Sequence, residues 1–188
     1  LTRASNSGDV SVTLKGAGFV AGTTCRLDGP AASIASASAN PAADGTSIAC
    51  MFALDGRPAG DYTLVAITPD GTQVRAAQAF SVVGDGAEPD LWANVSGRPK
   101  IRGGVPAPFD VPFGNRSGVN AYGVTMAISW PKGVAVKRKF EFAPLPVVAG
   151  IDPSVAVPET YDSGDRENLL LFIPVIAAGA THTLPLEI

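Results

Sequence analysis

The chain is dominated by short stretches in which apolar and polar positions alternate. Residues 9–15 (DVSVTLK) put Val10, Val12 and Leu14 on one face and Ser11, Thr13 and Lys15 on the other, the period of a half-buried β-strand. The same rhythm recurs in 23–27, where Cys25 and Leu27 share a face, and in 46–54, where Ile48, Cys50, Phe52 and Leu54 do. Strands are also predicted over 61–67 and 73–82. The stretch 31–43 is rich in Ala and Ser, but Asn40-Pro41 and the serines favour a strand and a loop over a helix. Turn chemistry separates these segments at Gly16–Phe19, Asp55-Gly56 and Pro69-Asp70-Gly71.

Residues 85–90 lack an apolar period and read as a linker between a first module, 1–84, and a second, 91–188. In the second, 91–95 opens the pattern. Pro106, Pro108 and Pro112 confine 105–113 to an edge or irregular strand. The longest strand, 119–130, carries Val124, Met126, Ile128 and Trp130 on one face. Residues 137–142, 169–176 and 181–188 supply the last strands. No segment gives a convincing helix, so the predicted fold class is all-β: two tandem immunoglobulin-like β-sandwich domains.

Composition supports this picture. The chain has 188 residues, 46% of them hydrophobic and 16% charged, with 21 Gly and 16 Pro as punctuation. Residues 1–90 hold 5 Lys/Arg against 9 Asp/Glu, and 91–188 hold 9 against 8. Neither half has the basic excess that phosphate backbones require, which argues against nucleic acid as a partner. No run of apolar residues is long enough for a membrane-spanning helix, so no direct membrane insertion is expected. The only cysteines, Cys25 and Cys50, fall on inward strand faces of one module and read as a disulfide. Closing that loop would stabilise the fold by about 3 kcal/mol and place folding in an oxidising compartment.

The segments SVTLKGAGF, C-x-L-x-G, CMFAL, AGDYTLVAITPDG and AAQAFSV together resemble an IPT/TIG-type immunoglobulin-like domain over residues 9–83. In the second half, PDLWANVSG, PFGNRSGVNAYGVTMAISWPKGV and LLLFIPVIAAGATHTLPLEI resemble repeat domains of large bacterial exported proteins. That likeness implies a stalk or spacer module, with one more strand expected beyond Ile188.

Candidate chemistry is thin. The single histidine, His182, lies in an alternating run and reads as a partly buried or rim residue. One His and two bridged Cys do not make a zinc or transition-metal ligand set. Calcium is the remaining metal: Asp162, Asp165 and Glu167 crowd one loop, and Asp85, Glu88 and Asp90 form a second option, each set against a solvated turn. Gly16-Ala17-Gly18 follows a strand but lacks the third glycine and helix of a dinucleotide fingerprint. The basic cluster Lys132 with Lys137, Arg138 and Lys139 reads as a solvated strand and turn. Trp92, Phe109, Phe113, Tyr122, Trp130, Phe140 and Phe142 are either core or a sugar-stacking platform. Two acceptor sequons begin at Asn94 and Asn115.

These readings lead to a non-catalytic structural or interaction module of a bacterial surface or secreted protein. It would work beside neighbouring domains of the same polypeptide, without a cofactor. Two alternatives stay open: an adhesin module binding carbohydrate or protein, and accessory domains of a secreted enzyme or toxin.

Overall fold

A computed structural model describes residues 1–29, 31–140 and 160–188. The described residues form strands and turns without a helix, and the strands assemble into several sheets. They divide into two compact units: Leu1–Leu91 with Asn115–Ala121 and Ala177–Ala180, and Trp92–Gly114 with Tyr122–Ile176 and Thr181–Ile188. Two segments read from the sequence as second-module residues, Asn115–Ala121 and Ala177–Ala180, therefore group with the first unit.

The first unit is built from eight strands: β1 (Arg3–Ser5), β2 (Asp9–Lys15), β3 (Thr24–Asp28), β4 (Ser33–Ala35), β5 (Ser38–Pro41), β6 (Ser47–Ala53), β7 (Gly60–Ile67) and β8 (Gln73–Val83). One sheet has the order β1-β8-β7-β3-β4 and the other β2-β6-β5, an arrangement consistent with a β-sandwich. All pairings are antiparallel except β1 with β8.

The alternation seen in the sequence sets which side chains meet. Val10 and Val12 of β2 and Ile48, Cys50 and Phe52 of β6 are buried, and so are Cys25 and Leu27 of β3 and Tyr62, Leu64 and Ala66 of β7. These residues share one core cluster, which draws on both sheets. Cys25 and Cys50 are bonded with a Cα–Cα separation of 6.1 Å, within the usual range, and so tie β3 of one sheet to β6 of the other. Two turn glycines take left-handed backbone where the sequence predicts turns, Gly56 at φ 66° and Gly71 at φ 86°. At Gly29 the need is space: a Cβ there would sit 2.2 Å from the Tyr62 ring.

Residues 85–90, read from the sequence as a linker, are hydrogen-bonded along the first unit. The Ala87 amide donates to the Ser5 hydroxyl and its carbonyl accepts from Ser7, while Arg3 reaches Asp85 at 3.4 Å. The Asn115 side chain continues the contact by accepting from the Asp90 amide at 3.2 Å.

The second unit contains β9 (Leu91–Ala93, whose first residue belongs to the first unit), β10 (Ser96–Gly97), β11 (Pro108–Asn115, whose last residue does likewise), β12 (Ala121–Pro131, starting at the boundary), β13 (Lys137–Arg138), β14 (Thr160–Ser163), β15 (Arg166–Ile176) and β16 (Thr181–Glu187). Its sheets run β10-β11-β16-β13, with β9 also on β11, and β12-β15-β14. Buried Val111, Phe113, Leu169, Leu171, Ile176 and Leu186 come from β11, β15 and β16.

The prolines misled on one point, because β11 is an interior strand with neighbours on both sides. The Pro112 carbonyl accepts from the Asn94 amide, so its ring nitrogen faces the same flank, where β9 and β10 are only three and two residues long. The missing N–H thus costs no bond to β16. The predicted strand 137–142 is short: Lys137 and Arg138 pair with β16, the Lys139 amide also donates to the Pro185 carbonyl at 3.1 Å, and Glu141 and Phe142 lie outside the described residues.

Candidate functional site

A cluster of polar side chains in the second unit forms where the β14–β15 hairpin meets the end of β12. Thr160 to Ser163 pair with Leu169 to Arg166, turning at Gly164, which has φ 62°. This register sets Asp162 opposite Glu167. Asp162 accepts from the Lys132 ammonium at 2.6 Å and holds it above its usual pKa, chiefly through that hydrogen bond. Glu167 accepts from the Trp130 indole N–H at 3.1 Å. Arg166 turns to Ser129, donating to its hydroxyl at 2.6 Å and its carbonyl at 3.0 Å.

Of the calcium candidates, Asp162 and Glu167 are therefore each engaged by a different donor, and Asp165 is met through its backbone carbonyl by the Lys132 amide. Among the described residues no three His, Cys, Asp or Glu side chains gather as a metal-binding group. The second acidic option is likewise dispersed. Asp85 sits beside Ser5, whose hydroxyl holds its carboxyl below the usual range, with the Ala87 amide and Arg3 contributing less.

His182 is exposed on β16 and stacks on buried Phe113, ring centroids 5.4 Å apart and planes inclined by 29°. The basic cluster divides between acids: Lys139 lies 3.1 Å and Lys137 3.8 Å from Glu187, while Lys132 pairs with Asp162. The candidate aromatics separate by environment. Phe113 is buried, while Trp92, Phe109, Trp130 and Phe140 are half-buried, and Phe142 lies outside the described residues. Phe109 lies against Gly97, where a Cβ would sit 2.2 Å from its ring. Tyr122 is 54% exposed. The two sequons also differ. Asn94 is exposed, whereas Asn115 is 1% exposed with its amide nitrogen donating to the Val119 carbonyl at 2.7 Å.

Sequence reasoning passed over two features of the first unit. Asn120 is 5% exposed and joins three segments: its amide donates to the Asp9 carbonyl at 2.7 Å, and its side-chain oxygen accepts from the Ser11 and Ala178 amides, each at 3.1 Å. The only sequence signal was an asparagine inside an apolar run. The second is a groove of about 500 Å³ between Val12–Lys15 and Val74–Phe80. Its trace in the sequence was the small and polar run AAQA, where the alternation of β8 weakens. A smaller concavity of about 390 Å³ in the second unit is walled by Ile101, Val105, Val134 and Lys137.

No protein-family model matches the chain, and no curated protein matches it either.

Proposed function

We propose that the chain is a pair of tandem immunoglobulin-like modules that space or present neighbouring domains of a larger surface or secreted protein, without catalysis of its own. The observation that carries this reading is the Cys25–Cys50 bond joining the two sheets of the first unit through its core. A link at that place keeps the sheets from parting under load or transient opening. It also fits an oxidising, extracellular location. Consistent with that, no helix among the described residues is long and apolar enough to cross a membrane. The likeness of residues 9–83 to IPT/TIG domains and of the second half to exported bacterial repeats points the same way.

Force spectroscopy on a polyprotein carrying residues 1–188 tests it. A spacer gives two discrete unfolding events. The 25-residue separation of the cysteines withholds about 85 Å of contour length from the first until the bond is reduced. Smooth extension without discrete events would overturn the reading.

A further inference from the structure

In the second unit the chain carries no acid between Asp90 and Asp110, and three cations: Arg98, Lys100 and Arg102. β9 and β10 both lie on one flank of β11, with β16 on the other. Val95 joins β9 to β10, and Arg98 and Lys100 follow β10, so all three leave the sheet on the flank away from β16. Ile101 and Arg102 then lead into the turn that returns to β11, where the Val105 amide donates to the Arg102 carbonyl. A Cβ added at Gly103 or Gly104 would meet no atom within 4 Å, so this turn stands clear of its surroundings.

Arg98, Lys100 and Arg102 are exposed, and among the described residues none of their side chains has an acidic or hydrogen-bonding partner. The other lysines of the unit differ, since Lys137 and Lys139 share Glu187 and Lys132 holds Asp162. Interleaved with the unpaired cations are Val95 at 63% and Ile101 at 48% exposure. One exposed aliphatic side chain means little, but two set among three unpaired cations make a surface with both an ionic and an apolar demand. The charge is local. The whole chain carries a formal net charge of −3, so its overall charge opposes anions and only this stretch invites them.

We propose that residues 95–102 dock the protein onto an anionic lipid surface. Arg98, Lys100 and Arg102 lie among the phosphate headgroups, while Val95 and Ile101 reach the boundary with the acyl chains beneath. An anionic polymer in solution would engage the cations alone, whereas a bilayer places apolar material directly behind its charges. The contact is peripheral, as no helix among the described residues is long and apolar enough to cross a membrane. The proposal goes beyond the spacer reading, since a load-bearing module need touch no membrane.

Co-sedimentation of the whole chain with vesicles tests it, using phosphatidylcholine alone and phosphatidylcholine with about one-third phosphatidylglycerol. The anionic vesicles are expected to bind at least about tenfold more tightly, and less so as salt rises. Each cation near such a surface contributes about fivefold, so Arg98→Gln, Lys100→Gln and Arg102→Gln together should weaken binding roughly 100-fold. Neutralising Lys15, Arg57 and Arg75 of the first unit instead should leave it unchanged. Val95→Ser with Ile101→Ser is expected to cost at least about tenfold while the salt dependence stays. All these positions are exposed, and unchanged circular dichroism shows that each variant folds. Should one not fold, the lipid preference and salt dependence of the unaltered chain still decide the matter. Equal binding to the two vesicles, or no binding to either, would overturn the proposal, as would indifference to the three glutamines. So would full binding by the serine variant together with equally tight binding of soluble polyglutamate, because the partner is then a polyanion and not a bilayer.

Discussion

Removing the Cys25–Cys50 bond gives the most quantitative check on the first unit. The cysteines are 25 residues apart and sit at 2% and 0% exposure on strands of different sheets. On the chain-entropy model, releasing a loop of that length returns about 12 cal/mol/K to the unfolded chain, or about 3.5 kcal/mol at room temperature. For a unit of roughly 100 residues this corresponds to a fall in Tm of about 15–25 °C. Reduction is the cleaner perturbation, because replacing both cysteines by alanine adds the loss of buried sulfur contacts to the loss of the cross-link. Urea unfolding with and without a phosphine reductant, followed by tryptophan-independent far-UV circular dichroism, measures the difference. The double alanine variant, insensitive to reductant, serves as the control. A loss under about 1 kcal/mol on reduction would refute the reasoning, as would two titratable thiols in the denatured, unreduced protein.

Three further outcomes follow from packing and charge. Gly29→Ala drives a Cβ into the ring of Tyr62, which is 2% exposed and donates to the Pro58 carbonyl at 2.8 Å; thermal unfolding should show a loss of about 1–3 kcal/mol. Asn120→Ala strips the acceptor from the Ser11 and Ala178 amides, and urea unfolding should show a loss of about 2–4 kcal/mol, with faster exchange at both amides. Asp28, Asp44, Asp70 and Asp85 are held below the ordinary carboxylate pKa, chiefly by Arg26, the Thr46 amide, the Thr68 hydroxyl and the Ser5 hydroxyl respectively. A folded pKa below the unfolded one stabilises at pH above about 4 and is lost as pH falls through the folded value. Tm should therefore be level near neutrality and drop below pH 4, and Asp70→Asn should make that drop shallower.

What the sequence showed depended on whether a residue's role was local. Strict alternation in 9–15 and 46–54 located β2 and β6 to within a residue and placed Cys25 and Cys50 inward, because each strand has one core face. Val124, Met126, Ile128 and Trp130 are half-buried on one face of β12 for the same reason. Three-residue β1 and β4 carried too few positions to show a period. The interior place of β11 was hidden because three prolines signal an edge, and only the brevity of β9 and β10 makes Pro112 tolerable. The acidic loop was visible as a charge cluster, but its partners Lys132 and Trp130 lie 30 and 37 residues from Asp162 and Glu167. The groove is lined by the stretch of β8 whose register with β7 slips, a property of pairing that composition does not encode.

The place of Asn115–Ala121 and Ala177–Ala180 within the first unit bears on how such a protein can change over evolutionary time. A contiguous exchange of residues 1–91 would leave behind Asn120, and with it the group that occupies the Ser11 amide and the Asp9 carbonyl on β2. The recipient would inherit a longer bare strand edge and a tendency to aggregate along it. Recombination is therefore expected to move the two halves together, so that the heritable unit is the pair and each half constrains substitution in the other.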